Sequence, residues 1–304
     1  MATSKDTIWE KFLSPVVRSF IDEEGLRRYA DSIDWEQESD RWRQSDVIMP
    51  LYYTEQNFHG INGGYLNSSA AVSYDPITQY VLLPNENVVR QALIDAVKVK
   101  PTRVLDLGCG TGSTTLMLKQ AFPQAEVWGL DLSPYMLVRA ADKARKADLD
   151  IHWQHGNAET TKFPQGNFEL VTASLLFHET PRVICQAILR ESFRLLVPGG
   201  QILILDGNQK TLRQLSWLND IFEEPYIREY ADDNLDARLG AAGFKAVRSE
   251  NVWWINQVTS GIKPIPVVNG NMQDYARHTP TPINTTIDNN DLEDFGSPVF
   301  GLVR

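Results

Sequence analysis

Short apolar runs alternate with segments of helical periodicity along the middle of the chain, between Arg103 and Asp206. The runs have the length of buried strands, and turn-forming or acidic residues follow them. Strands that alternate with helices predict a parallel sheet covered by helices on both faces. The pattern therefore predicts an α/β fold, with strands within residues 104–107, 126–131, 151–155, 168–176 and 201–206.

The same periodicities extend this fold in both directions. Residues 86–97 predict the helix before the first strand, with Val88, Val89, Leu93, Ile94 and Val97 on its inner face. Residues 211–243 predict further helices, interrupted at residues 222–226, which we expect near a substrate pocket. Residues 244–258 predict two more strands with a turn near Glu250 and Asn251. Residues 86–260 are thus expected to form one domain.

The two ends of the chain differ from this domain. Residues 1–85 predict a helical and irregular cap, with helices over 7–20 and 23–42. Residues 51–67 are aromatic, amide-rich and punctuated by glycine, too irregular for a helix and too hydrophobic for a linker. They form either a folded part of the cap beside the site or a surface loop packed by its own aromatic rings. Residues 261–304, rich in Pro, Asn, Asp and Thr, predict an extended tail.

Composition excludes several classes of function. The 304 residues are 42% hydrophobic and carry a formal net charge of −10 with no long Lys/Arg stripe, which argues against nucleic acid as a partner. Two cysteines give no disulfide framework and no zinc spacing. Without a signal peptide or an apolar run of bilayer length, we expect a cytoplasmic protein with no membrane span, either a monomer or a homodimer.

Three glycines, Gly108, Gly110 and Gly112, alternate with other residues directly after the first strand. Glycine allows positive φ angles and a close approach of ligand to the backbone, and the following helix presents unpaired N–H groups. The dinucleotide fingerprint Gly-x-Gly-x-x-Gly is similar, but here the third glycine falls one place early. Asp106 would repel a pyrophosphate and suits a cationic amine. The turn therefore predicts a nucleotide-type site that differs from a nicotinamide site.

The pattern Asp106-x-Gly108-x-Gly110-x-Gly112 resembles motif I of the class I S-adenosylmethionine-dependent methyltransferases. Further family motifs follow in order: a strand ending at Asp131 before Ser-Pro, the segment Gly-Asn-Ala at residues 156–158, and Leu-x-Pro-Gly-Gly at residues 196–200 before an apolar strand. The resemblance covers roughly residues 85–258 and is closest to the type 11 branch, which includes ubiquinone- and menaquinone-type enzymes. It implies a Rossmann-like seven-stranded sheet, mostly parallel with an antiparallel edge hairpin.

The resemblance also implies the cofactor, S-adenosyl-L-methionine, with S-adenosyl-L-homocysteine as product. Asp106 is expected to orient the cofactor's amino group, and Asp131 to accept hydrogen bonds from both ribose hydroxyls. Asn157 replaces the Asp that the family often has near adenine, and its amide oxygen can still accept from the exocyclic amine. The predicted cofactor-binding set is Asp106, Gly108, Cys109, Gly110, Gly112, Asp131, Leu132, Met136, Asn157, Ala158, Glu159 and Ser174.

Candidate catalytic groups follow the fourth strand. His178 is expected to act as a base or to orient the substrate, and Glu179 to orient His178 or to serve instead. The structural alternative is that His178 bonds backbone while Glu179 caps the next helix. His59, Tyr65 and Tyr226 are substrate-binding candidates, whereas His152 and His155 are expected to be structural. No spaced histidine pair or carboxylate triplet indicates a metal site.

These observations predict methyl transfer to a small molecule such as an aromatic, prenyl-type or alkaloid metabolite, with oxygen, nitrogen and carbon acceptors all open. One alternative keeps the cofactor without the transfer, as a cyclase or a binding protein. A nicotinamide-dependent oxidoreductase is the other, and Asp106 argues against it.

Overall fold

A computed structural model describes residues 21–61, 63–82, 84–215, 217 and 224–266 of the chain. The predicted helix over residues 7–20 and the tail beyond residue 266 lie outside the described residues.

A seven-stranded sheet forms the centre of the fold. Its strands are β1 (Arg103–Leu107), β2 (Glu126–Asp131), β3 (His152–His155), β4 (Phe168–Ser174), β5 (Leu196–Gly207), β6 (Lys245–Val252) and β7 (Asn256–Ile262). The order across the sheet is β3-β2-β1-β4-β5-β7-β6, and β7 pairs antiparallel with both of its neighbours. The predicted Rossmann-like sheet with an antiparallel edge hairpin is confirmed.

Helices cover both faces of the sheet. They are α5 (Glu86–Asp95), α6 (Ser113–Ala121), α7 (Pro134–Lys146), α8 (Arg182–Leu195), α9 (Gln209–Gln214), α10 (Ile227–Ala231) and α11 (Leu235–Ala242). Side chains on β1 alternate between the faces: Leu105 packs with α8, α10 and α11, whereas Val104 packs with α5, α6 and α7. Burial on both faces explains why the central parallel strands β1, β4 and β5 are mostly apolar, whereas β3, at the edge of the sheet, is not.

Residues 21–82, here called the N-terminal segment, pack against α7. They form α1 (Glu23–Asp31), α2 (Trp35–Trp42), α3 (Leu51–Thr54), a 3₁₀ turn (Phe58–Gly60) and α4 (Ser68–Val81). Their apolar side chains form a separate cluster with Met136 and Val138 of α7. The segment 23–42 is helical as expected, but it is divided into two helices, because the Asp34 side chain accepts from the Gln37 N–H and starts the second. The expectation of no helix within residues 51–67 is wrong, since α3 lies there.

An ion-pair cluster joins α4 to the rest of the fold. Asp75 of α4 accepts from Lys143 Nζ at 3.0 Å and pairs with Arg139 Nε at 3.3 Å, both on α7. The Thr111 hydroxyl, within the glycine turn, donates to the same carboxylate. Burial alone would raise the pKa of Asp75, but Lys143 and its other donors lower it below the ordinary value. The N-terminal segment is therefore attached to the glycine turn by a charged group that stays ionised.

Two further predictions need correction. Val88 was expected on the inner face of α5, but 45% of it is exposed. The turn of the edge hairpin lies at Trp253–Ile255 rather than near Glu250 and Asn251, which belong to β6. None of the described helices combines the length and the apolar character that crossing a bilayer demands.

Candidate functional site

The strand order reverses between β1 and β4, and the carboxyl ends of these strands open into a cavity. A reversal of this kind is where open α/β sheets bind ligands. Of the predicted cofactor residues, eight line this cofactor cavity: Gly108, Gly110, Asp131, Leu132, Met136, Asn157, Ala158 and Ser174.

The glycine turn has the backbone that the sequence predicts, with φ of 61° at Gly108, 52° at Gly110 and 80° at Gly112. A Cβ on Gly110 would meet no protein atom within 4 Å, so it would extend into the cavity. A Cβ on Gly112 would lie 2.7 Å from the Trp153 ring. Gly110 therefore keeps space for a ligand, whereas Gly112 permits close packing of the turn. Cys109, between Gly108 and Gly110, is buried, and its N–H donates to the Leu130 carbonyl.

Asp106 is buried within the fold (1% exposed). Its two carboxylate oxygens accept from the hydroxyls of Thr115 and Thr172, each at 2.7 Å. Burial raises the pKa of Asp106 to about 6, although these two hydroxyls act in the opposite direction. Because both oxygens have partners inside the protein, the predicted contact with the cofactor's amino group would have to compete with them.

Asp131 lies at the end of β2 and lines the cofactor cavity. One carboxylate oxygen accepts from the Gly110 N–H and the other from the Ser133 N–H, both at 2.7 Å. Burial raises its pKa to about 6 against the lowering effect of these N–H groups. Each oxygen retains a further lone pair, so the side chain can also accept from ligand hydroxyls.

The residues after β3 form a hydrogen-bonded turn. Asn157 Oδ1 accepts from the Glu159 N–H at 2.8 Å, and Asn157 Nδ2 donates to Glu159 Oε1 at 3.0 Å. The Tyr52 hydroxyl of the N-terminal segment also donates to Glu159 Oε1, at 2.9 Å. Glu159 lines a neighbouring groove rather than the cofactor cavity. Of these two predicted residues only Asn157 faces the cofactor cavity, and Glu159 is hydrogen-bonded to it.

Five aromatic side chains of the N-terminal segment complete the wall of the cofactor cavity: Tyr52, Tyr53, Phe58, Tyr65 and Tyr74. Phe58 and Tyr65 are stacked, with ring centroids 5.3 Å apart, and both are buried. The Tyr65 carbonyl accepts from the Ser133 hydroxyl, which ties this wall to the start of α7. Sequence reasoning found Tyr65 and missed the other four rings, whose spacing along the chain is irregular.

A second cavity lies beside the first and is here called the acceptor cavity. Its wall is largely apolar and includes Thr78, Leu82, Leu212, Ile227 and Ile255. The polar groups that face it are His59, His178, Glu179 and Asn256. Glu179, Tyr74 and Leu175 line both cavities, so the two spaces meet at these residues.

His178 lies in a 3₁₀ turn (Phe177–Glu179) after β4. Its Nδ1 is 2.6 Å from Asp206 Oδ1 at the end of β5, and its Nε2 is 3.9 Å from Glu179 Oε1. Burial would lower the pKa of His178, but the charge of Asp206 and its hydrogen bond outweigh burial and raise it to about 9. The imidazole is therefore protonated at neutral pH and acts as a hydrogen-bond donor.

His59 occupies a comparable position on the N-terminal segment. Its Nδ1 is 2.7 Å from Glu224 Oε1, and its Nε2 is 3.6 Å from Glu179 Oε1. Burial would lower the pKa of His59, but Glu224 and Glu179 raise it well above its ordinary value. The backbone of His59 is left-handed (φ 49°, ψ 34°), and its N–H donates to the same Glu224 oxygen at 3.0 Å. Non-glycine residues in this conformation are uncommon and are often found at functional sites.

Glu179 joins these groups. Its Oε1 accepts from the Tyr65 hydroxyl at 2.6 Å and lies within 4 Å of both imidazole Nε2 atoms. The predicted capping role for Glu179 is not seen, because α8 begins after Pro181 without a side-chain cap. The sequence indicated no metal site, yet among the described residues His59, Glu179 and Glu224 bring ligand-type atoms within 4.8 Å of one another. The chain spacing of these three residues gave no sign of this.

The remaining candidates lie away from the residues at which the two cavities meet. Tyr226 packs against the aromatic cluster of the N-terminal segment, and its hydroxyl donates to the Tyr52 carbonyl at 3.3 Å. His155 is buried and bonds the Leu132 carbonyl and the Gln44 N–H, whereas His152 stacks on Trp128. These two histidines have the structural contacts that the sequence predicted. Glu224 lies in the segment 222–226 that the sequence placed near a substrate pocket, but its pairing with His59 was not predicted, and Asp206 was not singled out at all.

Comparison with known proteins agrees with this geometry. A family profile described as "Methyltransferase domain" matches residues 104–200. Demethylmenaquinone methyltransferase of Thermus thermophilus is 34% identical over 140 residues, covering 46% of this chain and 63% of that protein. The Listeria welshimeri enzyme of the same name is 33% identical over 143 residues, covering 46% and 60%. The chain thus spans less than two thirds of the length of these relatives.

Solved structures share the fold. A S-adenosylmethionine-dependent methyltransferase of Aquifex aeolicus superposes with a TM-score of 0.51 at 18% identity, covering 65% of this chain and 98% of that one. Human N-acetylserotonin methyltransferase, in complex with S-adenosylmethionine, gives 0.53 at 18% identity, covering 76% and 66%.

Residues 104–200 thus match a methyltransferase-domain profile, and the sheet shares the fold of S-adenosylmethionine-dependent methyltransferases. These matches agree with the predicted resemblance to the type 11 branch and with S-adenosylmethionine as the predicted cofactor.

Proposed function

We propose that the protein transfers a methyl group from S-adenosylmethionine to a small molecule bound in the acceptor cavity. The observation that carries this proposal is the position of Glu179, Tyr74 and Leu175 in the walls of both cavities. A cofactor in the first cavity and an acceptor in the second would meet there, which is the arrangement that in-line displacement requires.

The cofactor supplies a methyl group that its sulfonium already activates. Asp131 would accept the ribose hydroxyls, Asn157 would accept from the adenine amine, and Gly110 would leave room for the methionine part. Residues 1–85 form a cap in this proposal, because Tyr53, Phe58 and Tyr65 close the cavity against water. The methyltransferase domain begins at residue 86, as predicted, and extends to Ile262 at the end of β7, two residues beyond the predicted boundary.

The roles of the two catalytic candidates differ. An imidazolium at His178 cannot accept a proton, so His178 would donate a hydrogen bond to the acceptor or to Glu179. Glu179 faces both cavities and is the group that would take up the acceptor's proton. This reverses the order of preference that the sequence suggested, in which His178 is the first candidate for the base.

The wall of the acceptor cavity favours an aromatic, prenyl-type or alkaloid acceptor, because Leu82, Ile227 and Ile255 offer apolar contact. The relatives named for demethylmenaquinone support an aromatic acceptor. A cyclase or a binding protein would use the same cofactor cavity without consuming the cofactor.

The test combines binding with product analysis. We expect micromolar affinity for S-adenosylhomocysteine by calorimetry and no binding of NAD. Incubation with methyl-labelled S-adenosylmethionine and a panel of phenols, quinols and aromatic amines should then give labelled product and stoichiometric S-adenosylhomocysteine. Binding without any cofactor turnover across the panel would favour the cyclase or the binding protein.

A further inference from the structure

Two histidine–carboxylate pairs converge on a single carboxylate at the junction of the cavities. Glu224 holds His59, Asp206 holds His178, and the Nε2 atoms of both rings lie within 4 Å of Glu179 Oε1. The side chains of Glu224 and Asp206 have no exposed surface. A fully buried carboxylate that bonds Nδ1 fixes both the orientation and the proton of an imidazole.

Glu224 also determines the backbone at His59. One carboxylate oxygen accepts from both the N–H and the Nδ1 of His59, which keeps this residue in its left-handed conformation. The other oxygen, Oε2, is buried without a hydrogen-bond partner. A buried carboxylate oxygen without a hydrogen-bond partner destabilises the fold and calls for an explanation. Here the explanation is the contact that the other oxygen of Glu224 makes with His59.

The charges of the cluster complement the cofactor. At their formal charges, two imidazolium rings and three carboxylates sum to one net negative charge. The sulfonium of S-adenosylmethionine has one positive charge, which offsets the charge of this cluster. The offset is largest around His178 and Glu179, whose side chains are mostly buried, and smaller around His59, whose side chain is 37% exposed.

We propose that Glu224 and His59 are positioning residues, which with Asp206 and His178 fix Glu179 at the junction, and that the site selects an uncharged acceptor bearing an O–H or N–H group. This inference rests on the proposed function. In the transfer step the acceptor's lone pair forms the bond to the methyl carbon, and the electrons of the broken carbon–sulfur bond go to sulfur. The acceptor's proton passes to Glu179.

This step conserves the combined charge of the cluster and the cofactor. The sulfonium loses its positive charge while Glu179 loses its negative charge, so the two changes cancel. An anionic acceptor would leave one uncompensated negative charge between apolar walls, at a high desolvation cost. The cluster therefore discriminates against carboxylate or phosphate acceptors.

The experiment needs no known acceptor. Ring-proton NMR titration of the full-length protein, with signals assigned through His59→Asn and His178→Asn, measures the protonation of both rings. His59 is faced by Glu224, Glu179 and Tyr65, and His178 by Asp206, Glu179, Glu224 and Tyr230. Glu224→Gln should lower the titration midpoint of the His59 ring by about one pH unit or more. Glu224→Asp keeps the negative charge and should give a midpoint between those of Glu224→Gln and the wild type. Asp206→Asn is the matched change for His178.

Calorimetry supplies the second readout. Wild-type protein should bind S-adenosylmethionine more tightly than S-adenosylhomocysteine, and Glu179→Gln should reduce this preference at least about threefold while changing S-adenosylhomocysteine affinity little. The melting temperature of each variant separates unfolding from a local effect. Failure to bind either compound would refute the proposed function itself.

Other results would overturn the inference while leaving the proposed function in place. One is a folded Glu224→Gln variant in which His59 has the same titration midpoint as in the wild-type protein. Another is an unchanged cofactor preference in Glu179→Gln. Zn²⁺ binding at micromolar or lower concentration that His59→Asn abolishes would show that the cluster holds a metal ion instead of protons.

Discussion

Replacing Asp131 by Asn tests the cofactor site with almost no change in side-chain shape. In the structure each carboxylate oxygen accepts one buried N–H at 2.7 Å, from Gly110 and from Ser133. Asn offers a single acceptor oxygen, so one of these N–H groups loses its partner. An unsatisfied buried donor costs about 1–3 kcal/mol, which should appear as a lower free energy of unfolding.

The effect on the cofactor comes from the lost charge. Hydrogen bonds from ribose hydroxyls to a carboxylate contribute about 1.5–3 kcal/mol, and the neutral amide retains only part of this. We expect the Kd for S-adenosylhomocysteine to rise about 10- to 100-fold. Calorimetry at pH 7.5 measures it, with circular dichroism melting to confirm that the variant is folded at the assay temperature.

Asp95→Asn provides the matched control, because Asp95 is exposed at the end of α5 and contacts only Gln91 among the bonds described. It should leave the Kd unchanged. An Asp131→Asn protein that is folded and binds S-adenosylhomocysteine as tightly as the control would refute the ribose assignment.

Other expectations concern the same region. Protonation of Asp131, whose pKa burial raises to about 6, removes an acceptor, so S-adenosylhomocysteine affinity should fall as the pH drops below about 6; calorimetry across pH 5–8 measures this, and a slope that persists in the Asn variant would assign it to another group. Gly112→Ala should lower the free energy of unfolding by about 2–4 kcal/mol through the clash with Trp153, as urea unfolding would show. Gly110→Ala should instead weaken cofactor binding more than it weakens the fold, and equal affinity to wild type would contradict the placement of the ligand there. Asp75→Asn should cost about 1–3 kcal/mol, because it removes the carboxylate that two partly buried basic side chains of α7 share; a melting temperature unchanged from wild type would show that this cluster is not needed to attach α4.

The sheet could be predicted from the sequence because its signals are local. Each buried strand is an apolar run, and the glycines of the turn at residues 108–112 occupy the positive-φ positions that their spacing indicates. The edge hairpin was misplaced for a related reason. Trp253 and Trp254 continue an apolar run, but about half of each side chain is exposed at the turn, where no local pattern marks the reversal.

Helix α4 and the junction cluster depend on distant contacts. The α4 sequence contains Pro76 and several β-branched residues, so its intrinsic helix propensity is low, and its contacts with α7 stabilise it. His59 and Glu224 are separated by 165 positions in the chain. The periodicity of a single sequence contains no information about such a pair, which explains why the pairing of Glu224 with His59 and the role of Asp206 were not predicted.

The shared wall at Glu179 has a thermodynamic consequence. If the sulfonium in one cavity stabilises the ionised Glu179 that an acceptor in the other cavity needs, the cofactor raises acceptor affinity by some factor. Linkage then requires that the acceptor raise S-adenosylmethionine affinity by the same factor. After transfer the charge on sulfur is gone, and this reciprocal coupling disappears with it. The two substrates are therefore expected to bind cooperatively, and the two products to leave independently of each other.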